Sequence, residues 1–279
     1  MPPDEIPPDL ESRVQSVLGQ STKYDAPVLP EVAKNVLEVT RDERCEPRSL
    51  ADLLKRDAAM AAGVLRAANS PAYAPRAPIV SLSHAISRLG LDAIRKIAVL
   101  VACNERVFAA TGREALARSL YFHSTLTAFV AQEVARKLKA GVEDAFIGGL
   151  LHDIGQAVAL KAIARVEATG RRFTDAEAQA MALALHQPLG AQALASWGLP
   201  PRTLVVVGHH HTPAMAPEHR ELVTVVSIAD DLAYAFAEGK DVDLASFAAR
   251  QVTVNLYDED LLELTARRDE LMAWARGIT

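Results

Sequence analysis

A chain of 279 residues with a formal charge of −5 has room for one large domain or two small ones. It carries no basic stripe of the kind that grips duplex nucleic acid. Half of it is hydrophobic but only 5% aromatic, and the apolar content is mostly Ala, Leu and Val, a mixture that favours helices over strands.

Residues 1–25, with four prolines between Pro2 and Pro8, read as a loose amino-terminal arm with at most one short helix. Helical pattern starts at Pro30, a good first-turn residue, with Val32, Val36 and Val39 on one face. Ser49 and Asp52 have the spacing of an N-cap and its return partner. A helix through Met60, Val64 and Leu65 ends at Asn69-Ser70-Pro71. Ser81 opens the next, Gly90 closes it, and Leu91, Ile94, Ala98 and Val101 begin another. Further helices are expected over 113–139, 143–154, 156–168, 174–184, 188–196, 200–211, 219–237, 242–250 and 258–276, with a turn at Gly239-Lys240. The fold class is all-α. Leu256, Leu261, Leu262, Leu264 and Leu271 predict that a carboxy-terminal helical extension, 236–279, docks on the rest.

Cys45 and Cys103 are isolated and read as reduced thiols. The first residues lack the basic and apolar regions of a secretory signal, and no run reaches the roughly 18 uncharged apolar residues of a spanning helix. The expectation is a cytoplasmic protein that engages neither membrane nor duplex nucleic acid.

Six of the eight histidines matter chemically, His123, His152, His186 and His209 to His211, and all fall at or beyond residue 123, with Asp153 and Asp230 among them. His123 shares its helical face with Leu116, Leu120 and Leu126, so its imidazole points inward; a core histidine is ordinarily satisfied by a carbonyl or carboxylate. His152 and Asp153 end a helix before Gly155. A histidine there suits the helix dipole, but an aspartate does not, and needs something positive beside it. Asp230 lies on the face of Val223, Val226 and Ala233, whereas Asp231 lies beside Thr224 and Ser227. Asp230 is therefore the inward carboxylate and must be paired or metal-bound. Consecutive helical residues diverge by about 100°, so at most two of His209, His210 and His211 serve one site. His186, before Pro188, sits at a helix start where a polar cap is the ordinary account; His84 and His219 belong to the surface. Together His123, His152, Asp153 and Asp230 make an N,N,O,O ligand set suited to Mn, Fe or Zn. A buried polar network without metal explains the same residues.

Gly149-Leu150-Leu151-His152-Asp153-Ile154-Gly155, with a histidine on an earlier helix and an aspartate on a later one, resembles the HD superfamily of metal-dependent phosphohydrolases. Leu29-Pro30-Glu31-Val32, Arg56-Asp57, Asn69-Ser70-Pro71, Ala85-Ile86, Leu89-Gly90, Trp197-Gly198-Leu199-Pro200, His210-His211-Thr212-Pro213 and Ala229-Asp230 narrow the resemblance to its HDOD branch. The resemblance implies a bacterial signalling module over 26–235, in which an amino-terminal helical half, 26–110, packs on an HD-like half, 111–235. It implies metal ligation by His123, His152, Asp153 and Asp230. His186, His210 and His211 look like the extra histidines of two-metal relatives that cleave cyclic di-GMP. Those relatives carry a lysine where this chain has Gln156, and a loop with glycine and tyrosine where it has Thr212-Pro213-Ala214-Met215-Ala216-Pro217. Without that lysine a phosphate loses a cation. The favoured reading is a non-catalytic regulatory module acting through signalling proteins or a small ligand such as a nucleotide. The alternative is a metal-dependent phosphohydrolase, with Asp153 as the catalytic residue.

Overall fold

A computed structural model of the chain describes residues 30–279, apart from 41, 43, 109–112, 140, 171, 196 and 198. The expected arm at 1–25, Leu29 and Gly198 lie outside the described residues. No strand occurs among the residues described.

Four helices come first: α1 (Glu31–Val39), α2 (Pro47–Leu54), α3 (Ala58–Ala68) and α4 (Leu82–Ala102). The α2 helix begins with Pro47 in its first turn, so Ser49 is not its cap. Proline has no N–H to leave unpaired and its φ is already helical. Asp57 caps α3 by accepting from the Met60 N–H at 3.0 Å, and Ser81 caps α4 by accepting from His84 N–H at 3.2 Å. Gly90, at φ 82° and ψ 170°, interrupts α4, the break anticipated at that residue. The Asn69 side chain holds both ends of the 70–78 loop: its amide donates to Leu65 and Ile79 carbonyls and accepts from Ile79 N–H at 2.8 Å.

The second group is α5 (Glu114–Leu138), α6 (Val142–Leu151), α7 (Ile154–Ala168), α8 (Asp175–Ala195), α9 (Pro201–His209) and α10 (Arg220–Glu238). The α5 helix packs on α6 and α10, α7 packs on α8, and α9 lies against α8 and α6. Lys96 of α4 donates to Gln132 Oε1 of α5 at 2.8 Å, and Arg95 pairs with Glu143 of α6. These contacts join the first group to the second. Arg113 holds the start of α5 to the end of α7 through Glu167, at 2.7 Å.

Three boundaries in this second group differ from expectation. Where one helix was expected over 143–154, α6 ends at Leu151 and α7 begins at Ile154, leaving His152-Asp153 in the break. Val142–Ala168 contains an 18-residue window apolar enough to cross a bilayer, and 94% of that window is buried in the fold. Gly155 does not terminate a helix; it lies inside α7, and a Cβ there would stand 1.7 Å from the His186 carbonyl oxygen. The segments expected at 174–184 and 188–196 are one helix, α8, with Pro188 inside it. Proline removes a single N–H donor, and the packed faces on either side carry the helix past it.

The extension docks on α5. A short 3₁₀ turn (Leu244–Phe247) and α11 (Ala248–Val254) stand where 242–250 was expected, and α12 (Asp258–Ala266) and α13 (Arg268–Arg276) replace the single helix expected over 258–276. Leu256, Leu261, Leu264 and Leu271 are buried; Leu262 instead faces out. The Trp274 ring meets Phe129 of α5 edge-on at 5.6 Å, and Arg267 pairs with Glu133 at 2.7 Å. Cys103 is buried and Cys45 half-buried, both as free thiols.

The α7–α8 crossing can be tested by comparing two glycines. Gly155→Ala forces a methyl into a carbonyl oxygen and is expected to cost about 3 kcal/mol or more. Gly208→Ala, with open space around its Cβ position, is expected to be neutral or stabilising by up to about 1 kcal/mol. Urea midpoints of the two variants measure the difference; equal midpoints would contradict the close crossing.

Candidate metal centre

The centre is assembled where α5, α8, α9 and α10 face the break between α6 and α7. Gly149 brings α6 close to α5: a Cβ there would lie 2.8 Å from the Thr127 carbonyl oxygen. That approach sets His152, one residue past α6, beside His123 of α5, with ring centroids 5.3 Å apart. Gly155 brings α7 closer still to α8, a Cβ there lying 1.7 Å from the His186 carbonyl oxygen, and so places Asp153 opposite His186.

Three histidines use the same local device. The His152 Nδ1 lies 2.7 Å from Gly149 O, His186 Nδ1 faces Leu183 O, and His210 Nδ1 lies 3.2 Å from Val207 O. A carbonyl only accepts, so each Nδ1 carries a proton and each Nε2 points away from its own helix. All three Nε2 atoms face Asp153. From Asp153 Oδ1, His186 Nε2 and His210 Nε2 are each 3.6 Å away, and those two nitrogens are 3.3 Å apart. On the other side, His152 Nε2 is 3.5 Å from Asp153 Oδ2 and 3.4 Å from Asp230 Oδ1. His123 Nε2 bonds Asp230 Oδ1 at 2.9 Å. His211 Nδ1 stands 4.0 Å from Asp230 Oδ2.

All seven residues singled out in the sequence therefore come together. His209, half-buried, joins none of the ligand groups, and Asp231 turns outward to Arg250 at 2.6 Å. His123 and Asp230 sit at the rim, with side chains 19% and 14% exposed, so His123 is less deeply inward than its helical face suggests. His211 is 47% exposed. His186 does not cap a helix start; it is buried in the middle of α8. Asp153 likewise stands at the N-terminus of α7, where the dipole favours a negative charge, and not at the unfavourable end of α6. Sequence reasoning missed that Gln156 donates to Asp153 Oδ2 at 2.6 Å, although its position three residues on is the spacing that permits it.

The donor set fits a metal. His152 Nε2 and Asp153 Oδ1 are buried without a hydrogen-bond partner, and separations of 3.3–3.6 Å are too long for good hydrogen bonds. Two ligands of one ion, each bonded at about 2.1 Å in tetrahedral array, lie roughly 3.4 Å apart. The groups Asp153-His186-His210-His211, His123-His152-Asp153 and His152-His210-Asp230 each have ligand atoms within 4.8 Å of one another.

The profile of the HDOD domain family matches residues 26–213. The chain belongs to the HDOD family. Among solved structures, this HDOD protein is similar to a proposed metal-dependent phosphohydrolase of Shewanella amazonensis, with TM-score 0.75, 22% identity, and coverage of 97% of this chain and 99% of that one. An HDOD domain protein of unknown function from Geobacter sulfurreducens gives TM-score 0.72 at 21% identity, covering 97% and 99%. A proposed signal transduction protein of Marinobacter aquaeolei gives 0.71 at 19%, covering 96% of this chain and 65% of that one. At these identities the likeness is one of fold. No curated protein matches the chain.

Electrostatics of the metal-free centre follow from burial and its neighbours. Burial pulls the His152 pKa down, but the Asp153 and Asp230 carboxylates outweigh it and hold the imidazole well above its usual value. Burial opposes ionisation of Asp153 and Asp230, yet His152 and the other imidazoles hold both below the usual carboxylate range. Burial lowers His186 and His211, with His210 adding to the effect, His211 to about 4. Linkage gives the signs. The His152 contribution is complete below about pH 6.5 and lost as pH rises through its raised folded value. The carboxylate contribution is present above about pH 4 and lost in acid. The lowered His186 and His211 favour unfolding once their unfolded counterparts protonate below about pH 6.5. Urea midpoints of chelator-treated protein should peak near neutrality, at about pH 6.5, and His152→Gln should flatten the alkaline limb. A midpoint still climbing through pH 9 would contradict the His152 assignment.

Proposed function

We propose that this HDOD protein is a regulatory, non-catalytic module whose His/Asp centre holds two divalent ions and which acts through signalling proteins or a small ligand, a nucleotide among them. One observation carries the metal reading: Asp153 stands between two sets of ring nitrogens, with its own Oδ1 and His152 Nε2 buried and unpaired. In this reading His123, His152, Asp230 and Asp153 Oδ2 hold one ion. His186, His210, His211 and Asp153 Oδ1 hold the other. Imidazole and carboxylate donors suit Mn, Fe or Zn. The Nδ1–H bonds to backbone carbonyls orient the rings and keep the Nε2 atoms basic.

The non-catalytic half of the reading rests on what stands around the centre. The Gln156 amide is buried and turned onto Asp153, so the position held by a lysine in cyclic-dinucleotide phosphodiesterases supplies no cation. Thr212 to Pro217, after the paired histidines, has neither the tyrosine nor the glycine of their substrate loop. A second reading, a phosphohydrolase, is favoured by the exposed His211 beside half-buried His123 and Asp230, which leaves one side of the centre open. A divalent ion there supplies Lewis acidity to a phosphoryl group. The chain itself binds and orients through its imidazoles, and the packed helices exclude water from the other sides.

Protein purified without a His-tag and reconstituted with Mn(II), then measured by mass-spectrometric metal analysis, is expected to hold two ions per chain. His210→Ala should hold one, and Asp153→Ala should lose most of both. Negligible metal in the parent protein would leave a purely hydrogen-bonded network. The metal-loaded protein is expected not to hydrolyse bis(p-nitrophenyl) phosphate. A metal-dependent rate abolished in Asp153→Asn would establish the phosphohydrolase instead.

A further inference from the structure

Resting on the two-ion reading above, we infer that Gln156 is a positioning residue that fixes Asp153 as the bridge between the two ions. Asp153 occupies the N-cap position of α7, yet its carboxylate caps no backbone N–H. An aspartate at a helix start ordinarily turns an oxygen back on the first-turn amides, and an oxygen so engaged is drawn towards the α7 backbone in competition with the histidines. Here the Gln156 N–H donates to the Asp153 carbonyl, at 2.9 Å. The Gln156 side-chain amide takes the carboxylate instead, donating to Oδ2 at 2.6 Å. With Oδ2 held, Oδ1 is directed at His186 and His210, 3.6 Å from each. The held Oδ2 keeps a second lone pair towards His152, 3.5 Å away. One carboxylate thus presents an oxygen to each set of ligands.

The choice of a neutral amide matters. Gln156 is buried beside the centre, where an anionic side chain would repel Asp153 and a lysine, the residue of the two-metal relatives, would bring a charge of its own. A glutamine donates without adding charge. Released from it, the carboxylate is free to cap α7 or to chelate a single ion with both oxygens, and either change uncouples the two positions.

The test uses the full, tag-free, chelator-stripped chain, titrated with Mn(II) by calorimetry and followed by electron paramagnetic resonance. The parent protein is expected to take up two ions and give an exchange-coupled signal. Gln156→Met, similar in volume but without a donor, should bind the second ion about 10- to 100-fold more weakly and lose the coupling. Its metal-free melting temperature should fall by only a few degrees, the loss of one hydrogen bond to the Asp153 carboxylate with no apolar packing removed. Unchanged affinities and coupling in Gln156→Met would overturn this inference and leave the metal centre standing. A parent protein that takes up no Mn(II) would overturn the metal centre and this inference with it. Loss of coupling accompanied by collapse of the metal-free melting temperature would assign Gln156 to packing and overturn the positioning role.

Discussion

A carboxylate taken out of water must be answered by positive charge or by donors, or its burial costs several kcal/mol. Asp153 is buried with one oxygen that no donor reaches, and much of the surrounding architecture follows from that demand. The α6–α7 break places it at a helix N-terminus, where the backbone presents partial positive charge. Ring nitrogens come to it from the end of α6, from α8 and from the end of α9. Such convergence needs backbones to approach more closely than side chains allow. Gly149 against Thr127 and Gly155 against His186 supply that closeness. Close-packed glycine crossings and a buried anion are thus parts of one solution.

Much of this was legible in the chain. Helical periodicity marks most of the helices, and the inward orientation of Asp230 over Asp231 follows from which residues lie three and four positions away. The errors are instructive because each involves a residue with two meanings. Glycine after a helix usually signals a left-handed cap, but Gly155 is needed for its missing Cβ and stays helical. Proline usually signals a start or a stop, but Pro188 rides inside α8, so His186 moves from an expected cap into a buried helix interior. Local pattern cannot separate these meanings, since the deciding neighbour lies on another helix. The pairing of Gln156 with Asp153 was hidden for a different reason. Substitution of a lysine draws the eye to a lost charge, whereas the amide has a donor role that only the position of Asp153 exposes.

The HDOD assignment and the geometry bear on different questions. The family profile and the fold of the solved relatives account for the helical arrangement, while the chemistry rests on seven side chains and the carbonyls that orient three of them. All seven ligand-type residues stand near Gln156 and a 212–217 segment with neither tyrosine nor glycine, and the proposed binding role rests on that combination.

The last two helices rest on the same rod that carries a rim histidine. Trp274 and Arg267 meet α5 at Phe129 and Glu133, and at 1.5 Å per residue Glu133 lies about 15 Å along the axis from His123. The α5 helix is unbroken between them, with the docked extension at one point and an imidazole at the other. The carboxy-terminal helices and the rim histidine thus share one continuous support.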